Sequence, residues 1–322
     1  MAVCPYGDGV TIHLVVNPTS GGGRGERILP TVLGQVRRTF AGRRVVVQRA
    51  TDYAHARQCV TEAVAHRTDD DVLVVMGGDG MMHLGINAVA GTPVPLGMIP
   101  AGSGDDLCRG LGIPVRDLDA TLALLSGEPR QVDLLRVDDA TPAPAGPPVG
   151  PTWVGSIAAT GFDARVNLRA NHMTFPPGRL QYPVAVAAEL STFRPLHYRL
   201  VIDGQPRELE AMLVAVGNTT SFGGGLRMCP EAVPDDGLLD LTIIHPVRRR
   251  TLVRMFPAIY RGAFTHLDEV ELLRARTVEL DGTLADGTPL TMMGDGEEIG
   301  TAPRTIGCAP GALTVFAPAD LP

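Results

Sequence analysis

The sequence of 322 residues contains no lysine, because all 28 of its basic residues are arginine. This absence excludes a lysine Schiff-base mechanism and a lysine-dependent phosphate loop. A GC-rich coding bias is a sufficient cause of it. Any phosphate site in this chain must therefore use backbone N–H groups, arginine or a metal.

Other scarcities narrow the class of protein. Five cysteines without paired spacing argue against a disulfide framework or a zinc site and indicate reduced thiols. A net charge of -7 argues against a nucleic-acid partner. The sequence has no signal-peptide pattern and no apolar run long enough to span a bilayer. We therefore expect a cytoplasmic protein, with peripheral contact to the inner face of the membrane as an option.

Short apolar runs alternate with helical periodicity in the first third of the chain. The runs cover residues 12–16, 45–47, 72–76 and 94–99. Strands that are apolar throughout and separated by amphipathic helices predict a parallel sheet covered on both faces. The fold class expected for residues 1–133 is thus an α/β domain.

The pattern changes to many short strands after residue 132. The strand candidates are residues 153–159, 197–202, 212–216, 238–244, 270–273, 277–280, 290–293 and 312–316. Such spacing predicts an antiparallel β-sandwich, here over residues 134–322.

Three glycine-rich turns follow strands of the predicted parallel sheet. They read "NPTSGGGRG" from residue 17, "GGDG" from residue 77 and "IPAGSGDDL" from residue 99. Glycine lets backbone N–H groups approach a phosphate, and the first turn of a helix attracts anions. Asp79 would repel a bare phosphate, so it either orders its turn through backbone bonds or faces a magnesium ion. Turns at the same strand ends should converge into one nucleotide-phosphate site.

These motifs, in this order, resemble those of the diacylglycerol/sphingosine/ceramide lipid kinase family, especially soluble bacterial diacylglycerol kinases. "GGGLRMCPEAVPDDGLLDL" from residue 223 and "GDGEEIG" from residue 294 extend the resemblance over nearly the whole chain. It implies an NAD kinase/phosphofructokinase-like nucleotide domain, a β-sandwich domain, and ATP and Mg²⁺ as cofactors. The nucleotide-binding residues it implies are Asn17, Thr19, Ser20, Gly21, Thr51, Gly77, Gly78, Asp79, Gly80 and Ser103.

The resemblance also assigns residues of the second half. Asp236, with the carbonyl groups of Val233 and Leu238, matches the family's magnesium site, and a hairpin turn is the alternative reading. Glu297 or Asp295 would accept the proton of the substrate hydroxyl. Glu297 is preferred because its side chain reaches farther, and a solvated acidic turn is the alternative.

Three positions depart from the family pattern. Met81 stands where a threonine is usual, Leu84 where a glutamate is usual, and Asp105 where an asparagine is usual. Loss of the hydroxyl removes a phosphate or capping contact, and the extra charge at Asp105 would weaken ATP binding or raise the demand for magnesium.

The acceptor is expected to be a lipid alcohol at a membrane surface. Residues 246–264 mix five arginines with apolar side chains, which suits contact with anionic lipid; a helix packed on the sandwich is the alternative. The function expected is transfer of the γ-phosphate of ATP to diacylglycerol or a related lipid. A kinase for a soluble acceptor such as NAD, and a catalytically decayed regulator, stay open, as does a homodimer.

Overall fold

The computed structural model describes residues 10–65, 70–140, 150–173, 184–186, 188–189 and 193–321. The chain divides into two units, Met1–Leu134 with Pro310–Pro322, and Leu135–Ala309. The sequence prediction placed all of residues 134–322 in one domain. The structure instead returns the last residues to the first unit, because Val315 pairs with Leu96.

The first unit alternates strands and helices. Its elements are β1 Thr11–Val16, α1 Ser20–Thr39, β2 Arg44–Arg49, α2 Tyr53–Ala65, β3 Val72–Gly77, α3 Asp79–Val89, β4 Leu96–Pro100, α4 Asp106–Gly110 and α5 Leu118–Leu124. The strands pair in the order β2-β1-β3-β4, and each pair is parallel. Every residue of β3 and β4 is buried, as expected of strands covered on both faces. The predicted α/β fold is confirmed.

Helix α1 shows how the sequence pattern produces this packing. Leu29, Val32, Val36 and Phe40 recur at three- and four-residue spacing and are buried in one core with the strand residues. This spacing places Leu29, Val32 and Val36 on one face of the helix, and Phe40, directly after the helix, packs in the same core. Because the helix follows β1, its glycine-rich first turn lies at the carboxyl end of the sheet.

The second unit is built from antiparallel strands. The remaining elements are β5 Arg130–Asp139, β6 Thr152–Val154, β7 Ile157–Gly161, α6 Phe162–His172, β8 Leu196–Ile202, β9 Gln205–Ala211, β10 Leu213–Gly217, β11 Leu239–Ile244, α7 Arg249–Ile259, β12 Val270–Ala275, β13 Thr277–Thr283, β14 Thr291–Gly294, β15 Glu297–Thr301 and β16 Arg304–Val315. One sheet has the order β12-β11-β10-β7-β14-β15. A second layer contains β13, β8 and β9, and residues of both layers share one core. The predicted sandwich is confirmed.

Two predicted strands differ in detail. The strand expected over residues 153–159 is interrupted at Gly155 and Ser156, where the chain bends between β6 and β7. The strand expected over residues 312–316 is the end of β16, which lies outside the sandwich.

Candidate active site

The first glycine-rich turn is ordered by Asn17. The side-chain oxygen of Asn17 accepts hydrogen bonds from the backbone N–H and the hydroxyl of Thr19, at 3.1 and 2.9 Å. The hydroxyl of Ser20 donates to the backbone carbonyl of Asn17 at 2.9 Å. Gly21, Gly22 and Gly23 then adopt successive positive φ angles of 56°, 65° and 86°. Of these three glycines, Gly22 and Gly23 form the open part of the turn.

The second turn leads from β3 into α3 and carries Asp79. Both oxygens of the Asp79 carboxylate accept backbone N–H groups of the third turn, from Asp105 at 2.9 Å and Asp106 at 2.7 Å. Asp79 thus caps the start of α4, 26 residues away in sequence. Of the two predicted roles for this aspartate, the structure shows the ordering of the turns through backbone bonds.

The three turns converge at the carboxyl ends of β1, β3 and β4. The backbone N–H of Ala101 donates to the carbonyl of Gly77 at 2.7 Å. A Cβ on Gly21 would lie 2.3 Å from the carbonyl oxygen of Ala101, and one on Gly78 would lie 3.3 Å from the Cα of Gly102. Glycine is needed here because the backbones of separate turns touch.

The cluster of carboxylates beneath these turns is electrostatically costly. Burial, followed by the charges of Asp106 and Asp105, raises the pKa of Asp79 to about 7. Burial also raises the pKa of Asp105, against the opposing effects of the Gly102 amide and of Arg24 and Arg109. Asp105 has a φ of 54°, a conformation that asparagine and aspartate tolerate best among residues with a side chain. The departure at residue 105 therefore keeps the backbone shape and adds a charge.

The other two departures lie in the core. Met81 and Leu84 are 3% and 5% exposed on α3. A Cβ on Gly77 would come within 2.3 Å of the Met81 side chain, so this methionine packs directly beneath the turn. Both residues contribute apolar packing where the family pattern has polar groups.

Thr51 and Ser103 are exposed, as are Thr19 and Gly21 of the first turn. Thr51 follows β2, and its hydroxyl bonds to Asp52 and to His55, each at 3.0 Å. Ser103 is exposed on the third turn, beside the contact of Gly78 with Gly102. The structure therefore places Ser103 in the cluster of turns and gives Thr51 local partners.

In the second unit, Asp295 and Glu297 differ in their surroundings. Asp295 is 5% exposed, and its carboxylate accepts the N–H of Gly155 at 2.9 Å and the N–H and hydroxyl of Ser156 at 2.8 and 2.5 Å. Asp295 thus fixes its hairpin to the bend between β6 and β7. Glu297 begins β15 and is half-exposed. Of the two residues, Glu297 is the more exposed.

Asp236 is engaged by protein groups. One of its oxygens accepts the N–H of Leu238 at 3.0 Å, and the other pairs with the guanidinium of Arg274. Arg274 also lies 3.5 Å from Asp240, whose pKa is raised to about 6 by burial and then by Glu231. The residues described contain no group of three or more His, Cys, Asp or Glu side chains suited to a metal. As arranged, Asp236 does not fit a resident cation, and it lies in a bend just before β11, at the end of the long connection from β10 rather than in a tight hairpin turn.

The first turn does fit a phosphate group. A Cβ on Gly22 or Gly23 would meet no protein atom within 4 Å, so this backbone faces open space. An anion could approach it without displacing side chains.

The arginine-rich segment around α7 packs part of its apolar side chains inward and leaves Tyr260 exposed. Met255, Ile259 and Phe264 are buried in the core of the second unit. Arg248, Arg250 and Arg261 are exposed, while the side chains of Leu252, Val253, Arg254 and Phe256 lie outside the described residues. No described helix is long and apolar enough to cross a membrane.

Both halves of the chain match known families. Residues 11–137 match the diacylglycerol kinase catalytic domain, and residues 156–317 match the YegS C-terminal NAD kinase β-sandwich-like domain. A diacylglycerol kinase of Mycobacterium tuberculosis (strain ATCC 25618 / H37Rv) is 38% identical over 309 residues, 95% of each chain. A protein named "Probable lipid kinase YegS-like" from Stenotrophomonas maltophilia (strain K279a) is 30% identical over 83% of this chain and 84% of its own.

Solved structures share the fold. A crystal structure of a diacylglycerol kinase from Bacillus anthracis str. Sterne matches with a TM-score of 0.69 at 19% identity, over 97% of this chain and 98% of that one. A second chain from that organism reaches 0.74 at 20% identity, over 96% of this chain and 97% of that one. At these identities the likeness establishes the fold alone.

The α/β unit with converging glycine turns and the β-sandwich are the two domains that the family matches describe. The chain belongs to the diacylglycerol kinase family, as its two domain matches and its 38% identity to a member show. It is a kinase, and kinases of this kind use ATP and generally a divalent cation.

Proposed function

We propose that this kinase transfers the γ-phosphate of ATP to the hydroxyl of diacylglycerol or a closely related lipid. The observation that carries the proposal is the meeting of three glycine turns in a chain whose two halves match lipid-kinase domains. The name of the 38% identical relative supports diacylglycerol as the acceptor.

The nucleotide site proposed here uses backbone more than side chains. Asn17, Thr19 and Ser20 hold the first turn, and the glycine backbone after them receives the phosphate at Gly21 and Gly22, because the N–H of Gly23 already donates to the carbonyl of Thr19 at 3.1 Å. The turn at Gly77–Gly80 and Ser103 complete the set, with Asp79 fixing their mutual positions. Preorganised amides stabilise developing charge on the transferred group without rearrangement.

Glu297 is the proposed general base. Phosphoryl transfer to an alcohol requires a group that accepts the hydroxyl proton and directs the oxygen. Glu297 is half-exposed, whereas the Asp295 carboxylate already accepts three hydrogen bonds. Asp295 therefore serves to hold the hairpin on which Glu297 lies.

The cation proposed is Mg²⁺, held largely by the phosphates of the nucleotide. Mg²⁺ is commonly bound through one or two carboxylates together with substrate phosphates. Asp236, with the carbonyl groups of Val233 and Leu238, would take part only after Arg274 leaves its carboxylate. The proposed location is the cytoplasmic face of the membrane, approached through the exposed Arg248, Arg250 and Arg261.

The test is a transfer assay with ATP, Mg²⁺ and mixed micelles of candidate lipids. With ATP labelled in its γ-phosphate, the label should appear in phosphatidic acid or a related product. The variant Glu297→Gln should have a kcat lower on the order of 10²-fold and an unchanged affinity for ATP. The matched control is Glu298→Gln, an exposed neighbour. Transfer to NAD without detergent, or ATP binding without transfer to any lipid, would reject the lipid kinase in favour of a soluble acceptor or a regulator.

A further inference from the structure

Arg274 lies between two carboxylates of the second unit. On the adjacent strands β11 and β12, Arg274 is directly opposite Asp240, so the two side chains project from the same face of the sheet. Nε of Arg274 lies 3.5 Å from Asp240 Oδ1, and Nη2 of Arg274 pairs with Asp236 Oδ2. One arginine therefore bridges a carboxylate of the sheet and a carboxylate of the segment that leads into β11.

Both oxygens of Asp236 have N–H partners. Oδ1 accepts the backbone N–H of Leu238 at 3.0 Å, and Oδ2 pairs with Arg274. A Mg²⁺ ion in direct contact with this carboxylate would lie about 2.0–2.1 Å from an oxygen. Two cations on the same side of one carboxylate repel each other, so the guanidinium and a metal ion exclude each other at Oδ2.

Asp240 is the more buried of the two carboxylates and depends on a neighbouring positive charge. It is 6% exposed, and its Oδ2 is buried without a hydrogen-bond partner among the residues that the structure describes. The negative charge of Glu231 acts on it as well. A buried carboxylate without a compensating charge is costly, so the guanidinium of Arg274 stabilises the folded unit here.

The segment that carries Asp236, residues 228–238, is fixed to the sheet at both ends. At its start, the hydroxyl of Thr242 donates to the backbone carbonyl of Met228 at 2.6 Å. Near its end, Asp236 pairs with Arg274. The chain itself supplies both connections.

We propose that Arg274 is the resident cation of this site, in the place where the family resemblance implies a magnesium ion. A guanidinium group has N–H donors on separate edges and so binds two carboxylates at once. Arginine keeps its charge at all ordinary pH values, so the site is always filled. The second unit therefore holds residues 228–238 without a divalent cation, and, on the proposed function, the Mg²⁺ of the reaction enters with the nucleotide.

The test is hydrogen exchange of residues 228–244 in the full chain, measured in EDTA and in about 10 mM MgCl₂. The native chain should exchange equally in both, because its site already holds a cation. Arg274→Gln leaves two carboxylates without their cation, so this segment should exchange on the order of tenfold faster in EDTA and regain protection in Mg²⁺. Arg274→Lys keeps a positive charge and should not respond to Mg²⁺. No nucleotide or lipid is present, so the result is independent of the transfer assay.

Arg199→Gln is the matched control. Arg199 is likewise directly opposite an aspartate on an adjacent strand, Asp281, and pairs with it, but a second carboxylate is not bridged by any contact described for that arginine. This variant should gain no response to Mg²⁺. Asp236→Asn combined with Arg274→Gln should lose the gained response, which locates the ion. Protection of the native segment by Mg²⁺, or an Arg274→Gln chain that Mg²⁺ leaves unchanged, overturns the proposal.

Discussion

Asp79 shows how one side chain stabilises the site and costs stability at the same time. Its carboxylate joins two glycine turns through the amides of Asp105 and Asp106, yet this half-buried residue lies beside the buried side chains of those two aspartates. Its pKa is raised from an ordinary 3.8 to about 7. The folded protein therefore binds a proton here between about pH 4 and pH 7 that the unfolded chain does not bind.

The first prediction is that the first unit loses stability as pH rises through this window. As Asp79 ionises, the free energy of unfolding falls by on the order of 2–4 kcal/mol in total. This loss is complete above about pH 7. Hydrogen exchange of α3 and α4 at pH 5 and pH 8 measures it. Asp79→Asn should be less stable at pH 5 and should lose stability less steeply as pH rises, the remaining slope coming from Asp105, whose pKa is also raised, whereas Asp117→Asn, at another helix cap, should keep the full slope. A slope unchanged in Asp79→Asn would contradict the assignment.

At the scale of elements, the first glycine-rich turn requires glycine for two different reasons. Gly21 touches the backbone of the third turn, whereas Gly23 has a positive φ and open space around it. A side chain at Gly23 would meet no neighbouring atom, so its cost comes only from the positive φ angle and is about 1 kcal/mol. Gly42, after α1, is a suitable control position for Gly23. It has a φ of 83° and open space around it, but it lies outside the glycine turns.

The second prediction uses this pair. Gly23→Ala and Gly42→Ala should each lower the free energy of unfolding by about 1 kcal/mol, since both carry the same backbone strain. Only Gly23→Ala should weaken ATP binding, by about tenfold or more, because its methyl group enters the space proposed for phosphate. Calorimetry with ATP and urea unfolding measure the two effects. Equal ATP affinity in both variants would remove the first turn from the nucleotide site.

Sequence patterns predicted those elements whose structure depends on residues close together in the chain. The strands β1 to β4, the buried face of α1 and the glycine turns all follow from periodicity and turn composition. The sequence did not reveal β9, because its polar residues alternate at a sheet edge and give no apolar run. It also did not reveal Ser156 as the partner of Asp295, or Arg274 as the partner of Asp236. Those pairs are 139 and 38 residues apart, and only the tertiary fold brings them together.

At the scale of the whole molecule, the chain leaves the first unit, forms the second and returns. The two units have separate cores, one drawn from residues 10–125 with Phe316, and one from residues 135–306. The returning segment completes the first unit: Leu313, Val315 and Phe316 are at most 2% exposed. The N–H of Phe316 donates to the carbonyl of Leu96 at 3.0 Å, and that of Gly91 donates to Ala312 at 2.8 Å.

The third prediction is that a chain ending at Ala309 loses the first unit and keeps the second. Removing three buried apolar side chains costs about 1.5–3 kcal/mol each, which approaches the total stability of an ordinary domain. ATP binding should disappear, and hydrogen exchange should rise in β1, β3 and β4 while β7, β10 and β11 stay protected. A chain ending at Ala319 keeps the paired segment and the carbonyl of Pro318 that accepts from Arg130, so it should behave as the full chain. If the shorter chain still bound ATP with native affinity, the returning strand would be an accessory of the nucleotide unit, since the glycine turns would then hold their positions without it.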